Sequence, residues 1–206
     1  MTQQLKHSAG PSTLSYEEFL EWDGENQHVE WVDGKAVEMA PVGDLEQDLK
    51  GFLLSVMRTF VNYYDLGVVR DDPFQMKTGP DLPGRAPDIM FVAKANSSRI
   101  RKSHLDGPAD LVVEISAPGS RRVDRHDKFS EYEQGGVQEY WLLDAQRRRA
   151  EFYHRGIDAK FHLLAAKDDG TFHSIMIAGL WIRLEWLWQK PLPSEIAVLK
   201  EWGLVK

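Results

Sequence analysis

Three short stretches constrain this chain most: DIMFVA at 88–93, DLVVEIS at 110–116 and EYWLLD at 139–144. Each is nearly continuous in apolar residues and is bounded by turn formers. A strand with one wet face alternates apolar and polar side chains, so runs without alternation suit strands covered on both faces. The fold therefore needs a sheet with a layer on each side. Leu45, Leu49, Phe52, Leu53, Met57, Phe60 and Val61 recur at helical spacing and predict one covering helix, opened by Asp44 and ending near Leu66-Gly67. A second helix is expected over 121–134, closed by Gly135-Gly136.

Weaker signals fill in the rest. Ser15 with Glu18 reads as a capping box opening a short helix through Trp22. Asp33-Gly34 between alternating runs at 29–32 and 36–39 predicts a hairpin. Residues 68–77 read as extended, 79–84 as a loop, and the chain beyond 149 as antiparallel strands. The expected organisation is a flexible tail at 1–13 and one α/β domain over 14–206. Trp181, Trp186 and Trp188 belong to core or dimer packing.

Composition removes several function classes. Hydrophobic residues at 42% and charged residues at 28% argue against disorder. With no Cys there is no disulfide, thiolate zinc site or cysteine nucleophile. No apolar run approaches the ~18 residues of a membrane span, and the start has no signal-peptide core. The expected location is cytoplasmic. A net charge of -7 gives no general attraction to nucleic acid, so such binding needs a local basic patch. Two loops provide candidates: Arg99, Arg101 and Lys102 before the strand of Glu114, and Arg121, Arg122 and Arg125 after it. His126 has no His neighbour at metal-ligand spacing and is set aside.

Two acids stand where acids are awkward. Asp88 heads one apolar run and Glu114 lies inside another, between Val113 and Ile115. A carboxylate in a buried strand is costly unless it is paired, hydrogen-bonded or bound to a cation. A structural salt bridge would satisfy one; a pair on neighbouring strands also suits Mg²⁺ or Mn²⁺, which prefer hard oxygen ligands. Strand periodicity puts Ser116 on the Glu114 face. On the next helix Arg121, Asp124, Lys128 and Tyr132 are spaced to share one face. That face is either solvated or packed across the Glu114 strand.

These segments resemble a known family. The LSYEEFLEW helix, the HVEWVDGKAVEMAP hairpin, APDIMFVA, the long run from GPADLVVEIS to EYWLLD, and Gly179-Leu180 are similar to the Uma-two family. That family is a restriction-endonuclease-like branch of the PD-(D/E)XK phosphodiesterases. The resemblance implies an α/β (α+β) core with a central mixed sheet flanked by helices, an N-terminal hairpin and C-terminal antiparallel strands. It makes Asp88 the "PD" aspartate and Glu114 the following acid. Ser116 replaces the superfamily's usual lysine, and Lys128 matches a lysine moved to the next helix. Glu46 stands where the family commonly has His, and Glu30 matches a recurrent family acid.

The chemistry so implied is Mg²⁺- or Mn²⁺-dependent endonucleolytic hydrolysis of nucleic acid, with DNA the expected substrate. Asp88, Glu114 and Glu46 would hold metal, and Lys128 would orient water or offset phosphate charge. Ser116, Asp124, Tyr132 and Glu30 would support the centre. A homodimer is expected, because nucleases of this fold often pair to cut two strands. Two rival readings stand beside it: a binding module that kept the fold without the chemistry, and a hydrolase of small phosphoesters.

Overall fold

The three apolar runs become the interior of one sheet. In a computed structural model, residues 13–22 and 28–206 are described. Apart from Thr13, the tail expected at 1–13 lies outside them. The chain opens with α1 (Tyr16–Leu20), whose Ser15/Glu18 capping box forms as expected. The hairpin β1 (Val29–Val32) and β2 (Lys35–Glu38) follows. Its turn places Asp33 at φ 49° and Gly34 at φ 76°. That double left-handed turn is the one that joins two strands directly.

The first long covering helix is α2 (Asp44–Tyr63). Its N-cap is Gly43, and Asp44 is instead the first helical residue, where an acid favours the positive end of the helix. The stretch at 68–77 is not one strand. It splits at Pro73 into β3 (Gly67–Asp71) and β4 (Gln75–Lys77), which enter different sheets. The expected loop ends in a short strand, β5 (Gly84–Arg85).

Next come β6 (Ile89–Ala93), β7 (His104–Asp106) and β8 (Leu111–Ile115). After β8 a π-helical turn, Val123–Lys128, runs into α3 (Phe129–Gly135). The remainder is β9 (Glu139–Asp144), β10 (Arg149–Arg155), β11 (Phe161–Leu164), β12 (Thr171–His173), β13 (Trp181–Arg183) and α4 (Glu195–Glu201). The C-terminal part is thus less strand-rich than its alternation suggests. Leu184–Trp188 forms a 3₁₀ turn and α4 ends the chain. Trp186 is buried in the core, with Trp181 and Trp188 packed against it.

The main sheet has the order β11-β10-β9-β8-β6-β3, with β8 and β9 parallel and its other pairs antiparallel. A second, five-stranded sheet runs β2-β1-β5-β4-β7. Both faces of the main sheet are covered, which accounts for the continuous apolar runs. Phe91, Val113 and Trp141 pack with Leu53, Met57 and Phe60 of α2. Met90, Val112 and Tyr140, one residue away, pack on the other side with Tyr132 of α3 and Met76. Among the described residues no helix is long and apolar enough to cross a membrane.

One buried acid has a purely architectural setting. Glu139, at the start of β9, is fully buried and accepts from Trp141 Nε1 at 2.6 Å, Ser174 Oγ at 2.9 Å and the backbone N–H groups of Ile175 and Met176. Glu139→Ala strands these donors, so the expected loss is about 3 kcal/mol in a urea melt. A loss under about 1 kcal/mol, the net worth of one ordinary hydrogen bond, would show that the 174–176 segment is held by other contacts.

Candidate active site

The register of β6 and β8 builds the site. Ile89 pairs with Val113 and Met90 with Val112, so one more step sets Asp88 opposite Glu114. Residues so opposed on one face have Cβ atoms about 4.5–5.5 Å apart. Asp88 accepts the Ile115 N–H at 2.7 Å, which ties the ends of the two strands together. Both acids are buried.

The helix after β8 supplies the partners. Lys128 Nζ donates to both Glu114 oxygens at 3.1 Å, pairs with Glu30 at 3.0 Å and lies 3.7 Å from Asp124. Tyr132 donates its hydroxyl to Glu114 at 2.6 Å. Asp124, Lys128 and Tyr132 thus share the face their spacing predicts, and that face packs across the strand. Arg121, expected with them, turns instead to Asp144 at the end of β9, 2.7 Å away. Ser116 is buried and continues the β9 pairing through its N–H to Leu143, but it lines neither cavity beside the carboxylates.

Glu30 enters from the hairpin and is one end of a further network. Arg85 donates to Glu30 at 2.8 Å and forks onto both oxygens of Glu131 at 2.7 Å. Nothing in the sequence pattern marks Arg85, which the pairing of β1 with β5 brings beside Glu30; Glu131 comes from α3, three residues after Lys128. Lys50 was also missed. It pairs with Asp72, and its ammonium is 4.0 Å from Asp88. Its spacing of four from Glu46 on α2 was the available signal.

Burial and crowding set the charges. Burial pushes the Asp88 carboxyl up to about 6, against the Ile115 N–H, Lys128 and Lys50. Burial also raises Glu114 well above the usual carboxylate range, with Asp124, Asp88 and Glu30 adding like charge. For Glu30 burial is outweighed by Lys128 and Arg85, which hold it low. Burial disfavours the Lys128 ammonium, yet Glu114, Glu30, Asp124 and Asp88 around it keep it firmly protonated.

Lys128, with Arg85 and Lys50 shared with Glu131 and Asp72, leaves Glu30, Asp88, Glu114 and Asp124 short of positive charge, and a divalent cation would relieve it. Asp88 and Glu114 face one cavity and offer hard oxygen donors. One or two carboxylates plus phosphate and water is the usual protein share of a Mg²⁺ site. The donor set fits the metal that the resemblance implies. The third expected ligand does not join it. Glu46 is buried and lines a cavity with Asp88, but accepts from Gln146 at 3.1 Å. Among the described residues no group of three or more His, Asp or Glu is arranged to hold a metal ion.

The basic residues divide. Arg99 donates to the Pro108 carbonyl, before the first residue of β8, whereas the carboxylates lie at its last. Five residues of strand, roughly 13 Å, therefore separate Arg99 and its neighbours Arg101 and Lys102 from the site. The loop sequence hid this because a strand carries its two flanking loops to opposite ends of the sheet. Arg101 is also paired with Asp106. Arg121, Arg122 and Arg125 do lie at the carboxylate end, paired with Asp144, Asp127 and Glu151. If a polyanion is bound at the carboxylate end, Arg101→Glu with Lys102→Glu is accordingly expected to leave the salt dependence of that binding unchanged. A slope reduced by about one unit per residue would return those side chains to the interface.

A mixed sheet between helices, with paired buried carboxylates at the ends of two adjacent strands and a lysine from the next helix, defines a nuclease-like protein. Residues 16–185 match the profile of the Uma2 family, described as "Putative restriction endonuclease", and the chain belongs to that family. It is also similar in fold to the crystal structure of a "putative nuclease belonging to DUF820" from Anabaena variabilis. The TM-score is 0.68 at 16% identity, over 84% of this chain and 97% of that one. No protein of curated function matches the sequence significantly.

Proposed function

We propose that the protein is a metal-dependent endonuclease that hydrolyses phosphodiester bonds of DNA at the Asp88–Glu114 pair. The observation that carries this reading is the register that opposes two buried carboxylates at one strand end, with Lys128 bonded to the second. Asp88 and Glu114 would hold Mg²⁺ or Mn²⁺. Bound there, the cation supplies Lewis-acid stabilisation of phosphate charge and an acidified water.

The chain's own groups set the geometry. Tyr132 and Lys128 fix the Glu114 carboxylate from one side, and the Ile115 N–H fixes Asp88 from the other. Glu30, pinned by Arg85, holds Lys128 in place. Lys128 offsets negative charge that gathers as the phosphate is attacked. Lys50, beside Asp88, is a second cation at the same end.

A non-catalytic module is the second reading, and a specific observation favours it: Lys128 and Tyr132 already satisfy Glu114. The two separate on a nicking assay with supercoiled plasmid. Cleavage with Mg²⁺ or Mn²⁺ that EDTA stops supports the enzyme. No cleavage of plasmid, linear or single-stranded DNA with either ion would favour the module.

A further inference from the structure

Asp88 stands between two cavities, and Glu114 faces the first. One, of about 320 Å³, lies against the β1–β2 hairpin and is walled by Val32, Val37, Met39, Val42 and Val123. The other, of about 560 Å³, lies along the first turns of α2 and contains Lys50 and Glu46. Met39, Ala40, Val42, Asp88 and Ile115 line both, so the cavities meet at Asp88.

The first cavity has a chemistry of its own. Val37 and Val42 are 43% and 54% exposed at its walls. Large apolar side chains left in water beside a cavity mark a surface that a ligand covers. Away from Lys128 its wall, among the described residues, offers phosphate no free cation: Glu38 and Asp124 line it, and Arg85 is bound by Glu30 and Glu131. A flat, uncharged heterocycle needs none. Its ring suits the valines, and its exocyclic amino groups find carboxylate acceptors. In the second cavity Lys50, 4.0 Å from Asp88, is paired with Asp72, so a phosphate there depends on the cation that Asp88 would hold.

A base in a stacked duplex cannot enter a pocket without being unpaired first, whereas a single strand offers its bases at no such cost. The arginines at this end give a duplex backbone little to follow: Arg121 and Arg125 are held by Asp144 and Glu151, which leaves Arg122, paired with Asp127 at 3.5 Å, as the exposed one. We propose that the 320 Å³ cavity is a nucleobase subsite for single-stranded DNA. One unstacked base enters beside the hairpin, and the adjoining phosphate lies at Asp88 and Glu114. This rests on the phosphodiesterase reading above and narrows its substrate.

The test is fluorescence anisotropy in Ca²⁺ with one mixed-sequence oligodeoxynucleotide, single-stranded or annealed to its complement. Wild type is expected to bind the single strand about tenfold tighter or more, the scale of one well-buried contact. Val37→Asn with Val42→Asn, both at exposed positions, should erase that preference by weakening single-strand binding alone. A 2-aminopurine within the strand should brighten on binding as it unstacks. Equal or tighter binding of duplex, or a preference unmoved by the double variant, would overturn the subsite. Hydrolysis of methyl p-nitrophenyl phosphate with Mn²⁺ separates the two levels, since that diester has no base. Its hydrolysis without single-strand preference removes only the subsite; single-strand preference without it removes the reaction and leaves the subsite standing.

Discussion

Asp88→Asn is expected to lower metal-dependent DNA hydrolysis by at least about 10²–10³-fold, the effect of losing one preorganised charged group at a reacting centre. The fold should survive, because an asparagine oxygen can still accept the Ile115 N–H that Asp88 accepts now. Burial already pushes Asp88 toward its neutral form, so removing its charge relieves rather than creates strain. Stability in a urea melt should therefore fall by no more than about 1 kcal/mol. A folded Asp88→Asn that nicks plasmid at the wild-type rate would remove this residue from the chemistry.

Lys128→Met should produce the largest loss of stability. Methionine keeps the length of the side chain and removes the one charge shared by Glu30, Glu114 and Asp124. Leaving buried charges uncompensated in this way costs about 3–5 kcal/mol. The loss should depend on pH with a definite sign. Without the ammonium, Glu114 stays raised by burial, and Glu30 loses one of the two cations, Lys128 and Arg85, that hold it low. Acids whose folded pKa exceeds the unfolded value of about 4.3 stabilise the fold at low pH and lose that contribution as pH rises. The variant should thus be closest to wild type in acid and furthest from it above neutrality. A deficit below about 1 kcal/mol, or one independent of pH, would mean that the cluster is not held by charge.

Much of this arrangement was legible in the sequence, and the limits have physical causes. DIMFVA and DLVVEIS announced strands covered on both faces, and the α2 and α3 periodicities named the layers that cover them. Asp124, Lys128 and Tyr132 share a helix face by spacing alone, and that face does meet Glu114. Arg85 was not legible, because it reaches the site through strand pairing, which a local pattern does not encode; Lys50 left only its spacing from Glu46, and helix docking decides what that face meets. The expectation for Arg99, Arg101 and Lys102 has the same origin. Nearness in sequence to Glu114 suggested nearness in space, yet a full strand intervenes. At the C-terminus, alternating Trp and Leu imitated a strand where the chain forms a 3₁₀ turn.

The central claim is that Asp88 and Glu114 together make a cation site. Titration calorimetry with Mn²⁺, on wild type and on Asp88→Asn/Glu114→Gln, addresses it without needing a substrate. A carboxylate-built site predicts one saturable Mn²⁺ per wild-type chain and none in the folded double variant. Equal binding by both proteins, or no binding by the wild type, would contradict it.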